Sequence, residues 1–322
     1  MLIKKIGIKL NNPMDRRYNS YNTYLREKFG CRVHKVSVDV GFTCPNRDGS
    51  MATGGCVYCN NNSFVPFYAR SRVPLGDQIN TGMEYLKRRF KAEKFIIYFQ
   101  AYTNTYDKIE RLERLYREAL EHDDVVGLAI GTRSDCVDEE KIKLCEKLSK
   151  DWFITLEYGI ESIYDKTLEL MNRGHNYQSV LGALRITKGR GIHIGAHIIV
   201  GFPGETHDEM LGIADEMSRL DIDFLKIHNL HVVKNTPLAR MYAKEPFNLF
   251  TYEEYLHFIS RFIERLSPKI VLERLFTDTP QDLLVAPIWN KTHGEFLSGI
   301  EAELQRRDAF QGKLFNENLY RT

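Results

Sequence analysis

Short apolar runs alternate with amphipathic segments along most of the 322-residue chain. Runs rich in Val, Ile and Phe, each long enough for one buried strand, lie at 33–40, 94–100, 125–130, 152–158, 193–200, 224–230 and 270–276. Segments whose apolar residues recur every three or four positions predict helices at 75–90, 108–121, 138–149, 162–170, 177–188, 206–220 and 252–266. Repeated strand–helix units predict a parallel sheet with helices packed outside it.

This alternation predicts an α/β protein built on a partial TIM-type barrel of six strand–helix units, (β/α)6. We expect the barrel core at residues 33–240, a basic amino-terminal extension at 1–32 and a helical carboxyl-terminal extension at 241–322 packed on the core. The chain is 43% hydrophobic and 27% charged, which is ordinary for a globular protein of this length. In such folds the chemistry collects on the loops that follow the carboxyl ends of the strands.

The composition argues against a membrane protein. No apolar run approaches the roughly 18 residues that a membrane-spanning helix needs. The first residues lack the apolar stretch and the cleavage site of a secretory signal. We therefore expect a cytoplasmic protein with no membrane partner, whose thiols stay reduced.

Basic residues are concentrated at the amino end, although the net charge of the chain is only +2. Residues 1–35 contain nine Lys and Arg against two Asp and Glu, and Tyr18, Tyr21 and Tyr24 are interleaved with them. A basic arm with aromatic side chains suits phosphate contacts and base stacking, and so favours a nucleic-acid partner. A solvated surface helix with ordinary tyrosines explains the same pattern.

Three cysteines follow the first predicted strand: Cys44, Cys56 and Cys59, with eleven residues in the first gap and two in the second. Thiolates clustered on one loop suit a soft metal centre, and three of them leave one coordination position without a cysteine. An iron–sulfur cluster fits this arrangement. A zinc site of three cysteines and a histidine such as His34 fits the cysteines alone as well.

The cysteine segment resembles the signature of the radical S-adenosylmethionine (radical SAM) superfamily, in which an aromatic residue, here Tyr58, precedes the last cysteine. The resemblance makes Tyr58 a cofactor-binding candidate. The resemblance implies a [4Fe-4S] cluster held by the three cysteines, S-adenosylmethionine (SAM) as second cofactor, and a partial barrel. The first gap of eleven residues departs from the usual three and is similar to a subset with a lengthened loop.

After the second strand, most radical SAM enzymes have a Gly-Gly-Glu segment that holds the amino group of SAM. This chain lacks it. Gln100, Thr103 and Asn104 offer carbonyl and hydroxyl oxygens in its place, and the resemblance assigns them to the cofactor. A polar turn that begins a helix, capped by Thr105 or Asp107, is the alternative.

Polar residues end the third and fourth strands as well. The segment around Arg133 resembles a Thr-Arg-Pro-Asp segment of the elongator catalytic subunit, which acts on tRNA wobble uridine. Arg133 is a candidate to bind a carboxylate or phosphate, unless it only pairs with Asp135 or Asp138. Glu157 matches the superfamily position that contacts the ribose hydroxyls of SAM.

The next two loops carry further cofactor candidates. Arg173 and His175, in the loop between two helices, are candidates to line the cofactor or the substrate, with Arg173 assigned to the cofactor. A helix end with Gly174 in the left-handed conformation is the alternative. The resemblance places the backbone around Ile199 and Gly201 against the adenine of SAM. A tight turn with Thr206 capping a helix explains that segment without a ligand.

Lys226 and His228 lie on one face of the sixth strand and are candidates to meet the substrate. Arg133, Lys226 and His228 form our candidate catalytic set. A histidine in such a strand is also often a satisfied core residue. Cys31, Cys136 and Cys145 are scattered, and we expect them to be buried free thiols.

The carboxyl-terminal segments 272–280, 282–289 and 306–313, with the long cysteine loop, resemble the narrower YtqA/YhcC-type radical SAM family. That resemblance implies modification of the tRNA wobble uridine, from a carboxymethylaminomethyl to an aminomethyl side chain. It implies tRNA as a partner and an electron donor such as flavodoxin or ferredoxin. Two alternatives remain: a radical SAM enzyme acting on a small metabolite or a protein side chain, and a zinc-clipped RNA-binding protein without enzymatic activity.

Overall fold

A computed structural model describes residues 16–61 and 65–316. The chain divides into two compact units. Within the described residues, the cysteine unit comprises 25–61 and 65–197, and the carboxyl-terminal unit comprises 198–316 together with 16–24. The three-part division at 32/33 and 240/241 stays a prediction. None of the helices in the described residues is both long and apolar enough to cross a membrane.

Helices and strands alternate along the described residues, as the apolar pattern predicts. The helices are α1 (Tyr21–Phe29), α2 (Leu75–Phe90), α3 (Ile109–Leu120), α4 (Glu139–Ser149), α5 (Asp165–Leu170), α6 (Tyr177–Thr187), α7 (His207–Arg219), α8 (Pro237–Lys244), α9 (Tyr252–Arg265) and α10 (His293–Arg306). The strands are β1 (Val33–Val38), β2 (Lys94–Phe99), β3 (Val125–Thr132), β4 (Phe153–Glu161), β5 (His193–Val200), β6 (Phe224–Asn229), β7 (Val232–Val233), β8 (Val271–Arg274) and β9 (Leu284–Ala286).

The main sheet has seven strands in the order β1-β2-β3-β4-β5-β6-β8. β1 pairs in parallel with β2, β2 with β3, and β3 with β4; in the carboxyl-terminal unit β6 pairs in parallel with β8. This confirms the α/β, partial TIM-type barrel prediction. A two-stranded antiparallel ribbon of β7 and β9 is an addition that the sequence pattern did not predict, because strands of two and three residues carry no readable period.

Strand burial explains the apolar runs. β2 and β4 are buried along nearly their whole length, so both faces of the sheet are covered there, as in parallel sheets flanked by helices.

Three helices begin with a Thr-x-x-Glu capping box, in which the threonine hydroxyl and the glutamate carboxylate bond reciprocally to backbone N–H groups: Thr206 with Glu209, Thr251 with Glu254, and Thr292 with Glu295.

The aromatic residues of the amino-terminal segment belong to the core of the carboxyl-terminal unit. Tyr18 and Tyr21 are buried, and the Tyr24 ring packs edge-on against Phe224 with 5.3 Å between centroids. Tyr18 and Tyr21 are therefore unavailable for base stacking, which corrects that part of the nucleic-acid interpretation. The basic residues Lys4, Lys5 and Lys9 lie outside the described residues.

Candidate metal centre and cofactor site

The lengthened cysteine segment is a closed hairpin. The backbone N–H groups of Arg47 and Asp48 donate to the Cys44 carbonyl at 2.8 and 3.1 Å. Asp48 then forms an isolated antiparallel bridge with Thr53. The Gly55 N–H donates to the Asn46 carbonyl at 2.8 Å, so the chain returns to the place where it left. Eleven intervening residues therefore do not separate the first two cysteines in space.

The Cys56–Cys59 pair is a tight turn, because the Cys59 N–H donates to the Cys56 carbonyl at 3.0 Å. A second loop docks on this turn. The Val57 N–H donates to the Met171 carbonyl at 3.0 Å, and the Asn172 amide donates to the Gly55 carbonyl at 2.9 Å. These bonds fix the cysteine loop against the segment that follows α5.

Nitrogen donors surround the buried thiol of Cys56. Its Sγ lies 3.5 Å from Asn46 Nδ2 and 3.6 Å from Arg173 Nη1. Asn46 Nδ2 also donates to the Asn172 carbonyl at 2.6 Å, and Arg173 Nη2 donates to the Gly159 carbonyl at 2.6 Å. N–H groups directed at a sulfur stabilise its anionic form, which is the form that binds metal. Sequence reasoning missed Asn46, whose only signal is its position two residues after Cys44.

The other two thiols of the loop have Arg47 as their cationic neighbour. Arg47 Nη2 donates to the Cys59 carbonyl at 2.8 Å, and the nearby Cys59 and Cys44 sulfurs contribute to raising the Arg47 pKa. Burial, with the Cys56 sulfur adding to it, raises the pKa of the Cys59 thiol to about 11. Burial also raises the pKa of the Tyr58 phenol, so Tyr58 stays protonated beside the cysteines. A bound metal would have to displace the Cys59 proton.

The zinc-clip alternative gains no support from His34. Its ring stacks on Phe90 at 5.0 Å, near the amino end of β1. Four residues of strand, about 13 Å, separate it from Val38 at the carboxyl end, which precedes the cysteines. Within residues 16–61 and 65–316 no three His, Cys, Asp or Glu side chains are arranged to hold a single metal ion. A four-iron cluster makes a different demand, since its cysteines bind separate iron atoms.

Among the residues that the structure describes, the buried polar atoms near the cysteine loop that lack a hydrogen-bond partner include Asn46 Oδ1, Arg133 Nη1, Arg173 Nε and His175 Nε2. A Cβ on Gly174 would lie 2.7 Å from Asn46 Oδ1 and 3.5 Å from Arg133 Nη2, so the glycine leaves a gap between them. Two of the atoms are cationic donors and two are acceptors. An unpaired buried polar group costs about 1–3 kcal/mol, so the set fits a bound zwitterion with a carboxylate and an ammonium, as in the methionine part of SAM.

The side chains around this gap have fixed roles. Arg133 donates from Nε and Nη2 to both oxygens of Asp135, at 2.8 and 2.7 Å, which is the predicted loop-shaping ion pair. Its third nitrogen, Nη1, stays available. Burial and the cations of Arg173 and Arg133 lower the pKa of His175 to about 4. His175 is therefore neutral, and because Nδ1 lies 3.2 Å from the Asn176 carbonyl, Nδ1 carries the proton and Nε2 can accept.

The residues proposed in place of Gly-Gly-Glu lie after β2. Thr103 and Asn104 are buried, and the Asn104 amide nitrogen donates to the Gly131 carbonyl at 2.8 Å. The side-chain atom of Asn104 that is able to accept a hydrogen bond is its oxygen. Gln100 directly follows the same strand and is half-buried. The polar turn of the alternative is present, because the Tyr106 N–H donates to the Thr103 carbonyl at 3.2 Å. Its cap is wrong, since the N-cap residue of α3 is Lys108 and has no side-chain cap bond.

Glu157 is 1% exposed and both of its carboxylate oxygens are engaged. Oε1 pairs with the Lys35 ammonium, and Oε2 lies 2.8 Å from His197 Nε2. The Lys35 ammonium also lies 5.0 Å from the centroid of the Tyr98 ring. A ribose at Glu157 would share these oxygens with Lys35 and His197. Sequence reasoning missed both partners, although a lysine inside an apolar strand was a visible signal.

The remaining candidates belong to the carboxyl-terminal unit. Gly201, two residues after Ile199, has φ 96° and donates its N–H to Met210 Sδ at 3.0 Å. Lys226 is buried on β6 and pairs with Glu273 of β8 at 3.0 Å. His228 Nδ1 lies 3.4 Å from the Thr277 hydroxyl. Glu273 had not been predicted as a partner.

The cysteines outside the loop are free thiols, and Cys136 and Cys145 are buried, as predicted. Burial raises the pKa of both to about 12, so they stay protonated. Cys31 is only partly buried.

Comparison with known proteins gives two family matches. The model described as "Radical SAM superfamily" matches residues 44–217, and that described as "Radical_SAM C-terminal domain" matches residues 222–306. The uncharacterized protein YtqA of Bacillus subtilis is 34% identical over 310 residues, covering 95% of this chain and 96% of its own. Protein YhcC of Escherichia coli K12 is 32% identical over 272 residues, covering 84% and 87%.

More distant relatives extend the comparison. The tRNA uridine(34) acetyltransferase of Methanocaldococcus infernus is 28% identical over 180 residues, which are 53% of this chain and 32% of the relative. Among solved structures, the archaeal Elp3 of M. infernus, with residues 1–46 deleted, superimposes with a TM-score of 0.66 and 20% identity. The match covers 87% of this chain and 64% of that one, and it supports the fold.

Proposed function

Because the chain belongs to the radical SAM superfamily, whose enzymes use a [4Fe-4S] cluster and SAM, we propose that it modifies the wobble uridine of tRNA. Cys44, Cys56 and Cys59 hold the cluster in this proposal. In the reaction, the N–CH2 carbon of the carboxymethylaminomethyl side chain would lose one hydrogen and, in total, two electrons, with SAM as the oxidant. Water would then split the resulting imine into the aminomethyl side chain and glyoxylate. The observation that carries the cofactor part is the cysteine hairpin, whose Cys56 sulfur lies within 3.6 Å of two N–H donors.

When bound and reduced, a cluster held by Cys44, Cys56 and Cys59 together with SAM would supply one-electron chemistry that removes a hydrogen atom from the substrate. The protein binds and orients the reactants and excludes water. Asn46 and Arg173 stabilise the Cys56 thiolate through their N–H groups. Arg133 Nη1 and Arg173 Nε bind a carboxylate, and Asn46 Oδ1 and His175 Nε2 accept hydrogen bonds from an ammonium.

The other candidates complete the cofactor and substrate contacts in the proposal. Glu157 accepts from the ribose hydroxyls, and Gln100, Thr103 and Asn104 contribute oxygens after β2. The contact of adenine with the backbone at Ile199 and Gly201 stays a prediction of the family resemblance. Lys226 and His228 bind the substrate, where an ammonium suits the carboxylate of a carboxymethyl group. Tyr58 shields the cysteines as a protonated phenol.

Support for a tRNA substrate comes from the relative named tRNA uridine(34) acetyltransferase, which matches about half of this chain. The basic residues at the amino end suit a polyanionic partner, since phosphates attract Lys and Arg. Radical SAM enzymes need a reductant, and we propose a small electron-transfer protein of the flavodoxin or ferredoxin class as the donor.

The first test is anaerobic iron reconstitution followed by incubation with SAM and dithionite, with 5′-deoxyadenosine as the readout. The wild-type enzyme is expected to hold iron and form the product, and Cys56→Ala to lose both. Cys145→Ala is the matched control, because it removes a buried thiol in α4, outside the cysteine loop. A wild-type protein that binds zinc and forms no 5′-deoxyadenosine would contradict the cofactor assignment.

The second test concerns the substrate. Undermodified tRNA is added, and its wobble nucleoside is followed by mass spectrometry. Loss of the carboxymethyl group in the wild-type reaction and not with Cys56→Ala supports the proposal. Cleavage of SAM without any change in the tRNA contradicts the tRNA substrate and leaves the cofactor assignment intact.

A further inference from the structure

We propose that Asn229 and His231 form a reading pair for the imide edge of a pyrimidine, the adjacent C=O and N–H groups that uracil presents. Asn229 is the last residue of β6, which pairs in parallel with β8, and His231 follows two residues later. Chemistry collects at the carboxyl ends of strands in folds of this class. The inference rests on the proposed function, because it names the base that the same enzyme would recognise.

Asn229 is 2% exposed, and its amide has a fixed orientation. Its Oδ1 accepts from the Thr277 backbone N–H at 2.9 Å, while the Thr277 hydroxyl donates to the Asn229 carbonyl at 2.7 Å. Because a backbone N–H can only donate, the atom facing Thr277 must be the oxygen. Nδ2 therefore faces away with two hydrogens, and it has no partner among the described residues.

His231 is anchored in the same manner. Its Nδ1 lies 2.9 Å from the Thr279 hydroxyl, and its ring meets Trp289 edge-on, with 6.3 Å between centroids. Burial lowers its pKa to about 4, so the ring is neutral near pH 7. Nε2 has no partner in the part of the chain that the structure describes. A hydroxyl can donate or accept, so the Thr279 contact permits either tautomer.

The two anchors belong to one segment. Asn229 bonds to Thr277 and His231 bonds to Thr279, two residues apart on each side. Because residues two apart on an extended chain lie on the same side, the side chains of Asn229 and His231 both point toward the segment 277–279. Each then keeps one nitrogen without a partner among the described residues: Nδ2 of the Asn229 amide and Nε2 of the neutral His231 ring. Buried polar groups are rarely left unpaired, so these two indicate a ligand that supplies an acceptor and a donor.

Uracil supplies that pair. Its O4 accepts from Asn229 Nδ2, and its N3–H donates to His231 Nε2 when Nδ1 carries the ring proton. Cytosine presents the reverse order, an amino donor beside an acceptor nitrogen. A site built to hydrogen-bond one of these edges leaves its own groups unpaired with the other, and so rejects it.

The Asn229→Asp substitution tests the pair, because it keeps the oxygen that accepts from Thr277 and replaces Nδ2 by an acceptor. The His231 ring then needs its proton on Nε2, which the Thr279 hydroxyl allows by donating to Nδ1. The variant matches cytosine. We expect wild type to prefer uridine over cytidine and over 3-methyluridine by about tenfold or more, and the variant to prefer cytidine by a similar factor.

The probes are anticodon stem–loop RNAs that differ only in the wobble base, read by fluorescence anisotropy, and the three free nucleosides, read by calorimetry. The reconstituted enzyme is used without reductant. Asn235→Asp, an exposed position of the same unit, is the control for added charge and is expected to keep the uridine preference. A gain in cytidine binding by Asn229→Asp cannot arise from misfolding.

The inference is overturned if wild type binds the three bases with equal affinity. It is also overturned if the Asn229→Asp variant has a normal melting temperature and no gain in affinity for cytidine. Failure to bind any of the nucleosides or RNAs overturns it as well. RNA binding that ignores the base leaves the tRNA proposal standing and removes the reading pair. A uridine preference among nucleosides, with tRNA left unmodified, keeps the reading pair and removes the tRNA substrate.

Discussion

Glu157 on β4 and His197 on β5 are joined by a 2.8 Å contact from Oε2 to Nε2, while the other oxygen of Glu157 pairs with Lys35. The carboxylate is 1% exposed, and the lysine and histidine side chains are 12% and 19% exposed. A charge in this position is tolerated because its neighbours compensate it. The three side chains therefore depend on each other.

Glu157→Gln is expected to destabilise the fold, because it preserves volume and leaves the Lys35 ammonium without its counter-charge. Loss of one partner of a buried pair costs about 3 kcal/mol or more. The measurement is the urea unfolding midpoint of the apo-protein. Glu113→Gln, which removes an exposed pair with Arg117 on α3, is the control and should shift the midpoint little. Equal small shifts for both variants would contradict this account.

Gly174→Ala should weaken cofactor binding by placing a Cβ 2.7 Å from Asn46 Oδ1. Gly189→Ala is a close control, since the two glycines have φ values of 77° and 76° but Gly189 has no neighbour within 4 Å. Both variants should lose about 1 kcal/mol of stability from backbone strain. Only Gly174→Ala should lower iron content or SAM affinity, measured by iron analysis and equilibrium dialysis. The same iron content and SAM affinity in both variants would contradict the gap.

Arg173→Lys is expected to lower the reduction potential of the bound cluster, because a lysine cannot serve the Cys56 sulfur and the Gly159 carbonyl together. Hydrogen bonds to cluster sulfurs favour the reduced, more negative state. The potential is followed by an anaerobic redox titration with an EPR readout. Arg190→Lys, whose guanidinium pairs with Glu139 and Glu146 on the surface, should leave it unchanged. An unchanged potential in Arg173→Lys would argue against the sulfur contact.

Burial of His231 should make the free energy of unfolding decrease at acid pH. Its pKa is lowered from 6.5 to about 4 in the fold, so the unfolded chain takes up a proton between these values while the native chain does not. Stability from this residue is complete above pH 6.5 and falls by at most about 1.4 kcal/mol per pH unit on acidification toward pH 4. His231→Phe should flatten that decline in thermal unfolding curves, and the exposed-site control His257→Phe should not.

Lys226 can be tested for a role beyond its ion pair with Glu273. Lys226→Met alone should destabilise the protein by about 3 kcal/mol, because the Glu273 carboxylate stays buried. The double variant Lys226→Met with Glu273→Leu should recover the melting temperature. If Lys226 binds substrate, the double variant stays inactive on tRNA while still forming 5′-deoxyadenosine. Recovered tRNA modification would assign Lys226 to stability alone.

Local patterns predicted most of the fold. The apolar runs predicted the seven strands of the main sheet, and the periodic segments predicted α7 and α9. The helix α10, which begins with a Thr-x-x-Glu capping box, was expected only as part of a helical extension. The β7–β9 ribbon was not predicted, because it depends on pairing between residues some fifty positions apart in sequence. It has no local hydrophobic period that would reveal it. Tyr18 was misread for a related reason: an aromatic residue in a basic segment looks exposed until its tertiary neighbours are known.

Only part of the candidate site could be predicted from the sequence. Cysteine spacing and the aromatic Tyr58 indicated a metal loop without knowledge of any contact. The partners of the key side chains could not be inferred, because Asn46, Lys35 and His197 act through neighbours that are distant in sequence. Whether a charged residue has a counter-charge is a property of packing, and sequence alone does not report it.

The hairpin between Cys44 and Cys56 has a consequence for how such enzymes are recognised. The Asp48–Thr53 bridge closes the loop, and Met51 at its tip is 51% exposed. Residues added or removed beyond the bridge change the length of the chain without moving the thiols. The number of residues between Cys44 and Cys56 therefore does not determine the distance between their thiols. A sequence motif that fixes the length of this gap misses chains with a lengthened loop. The exposed tip at Met51 is a position where a spectroscopic label can be attached without moving the thiols.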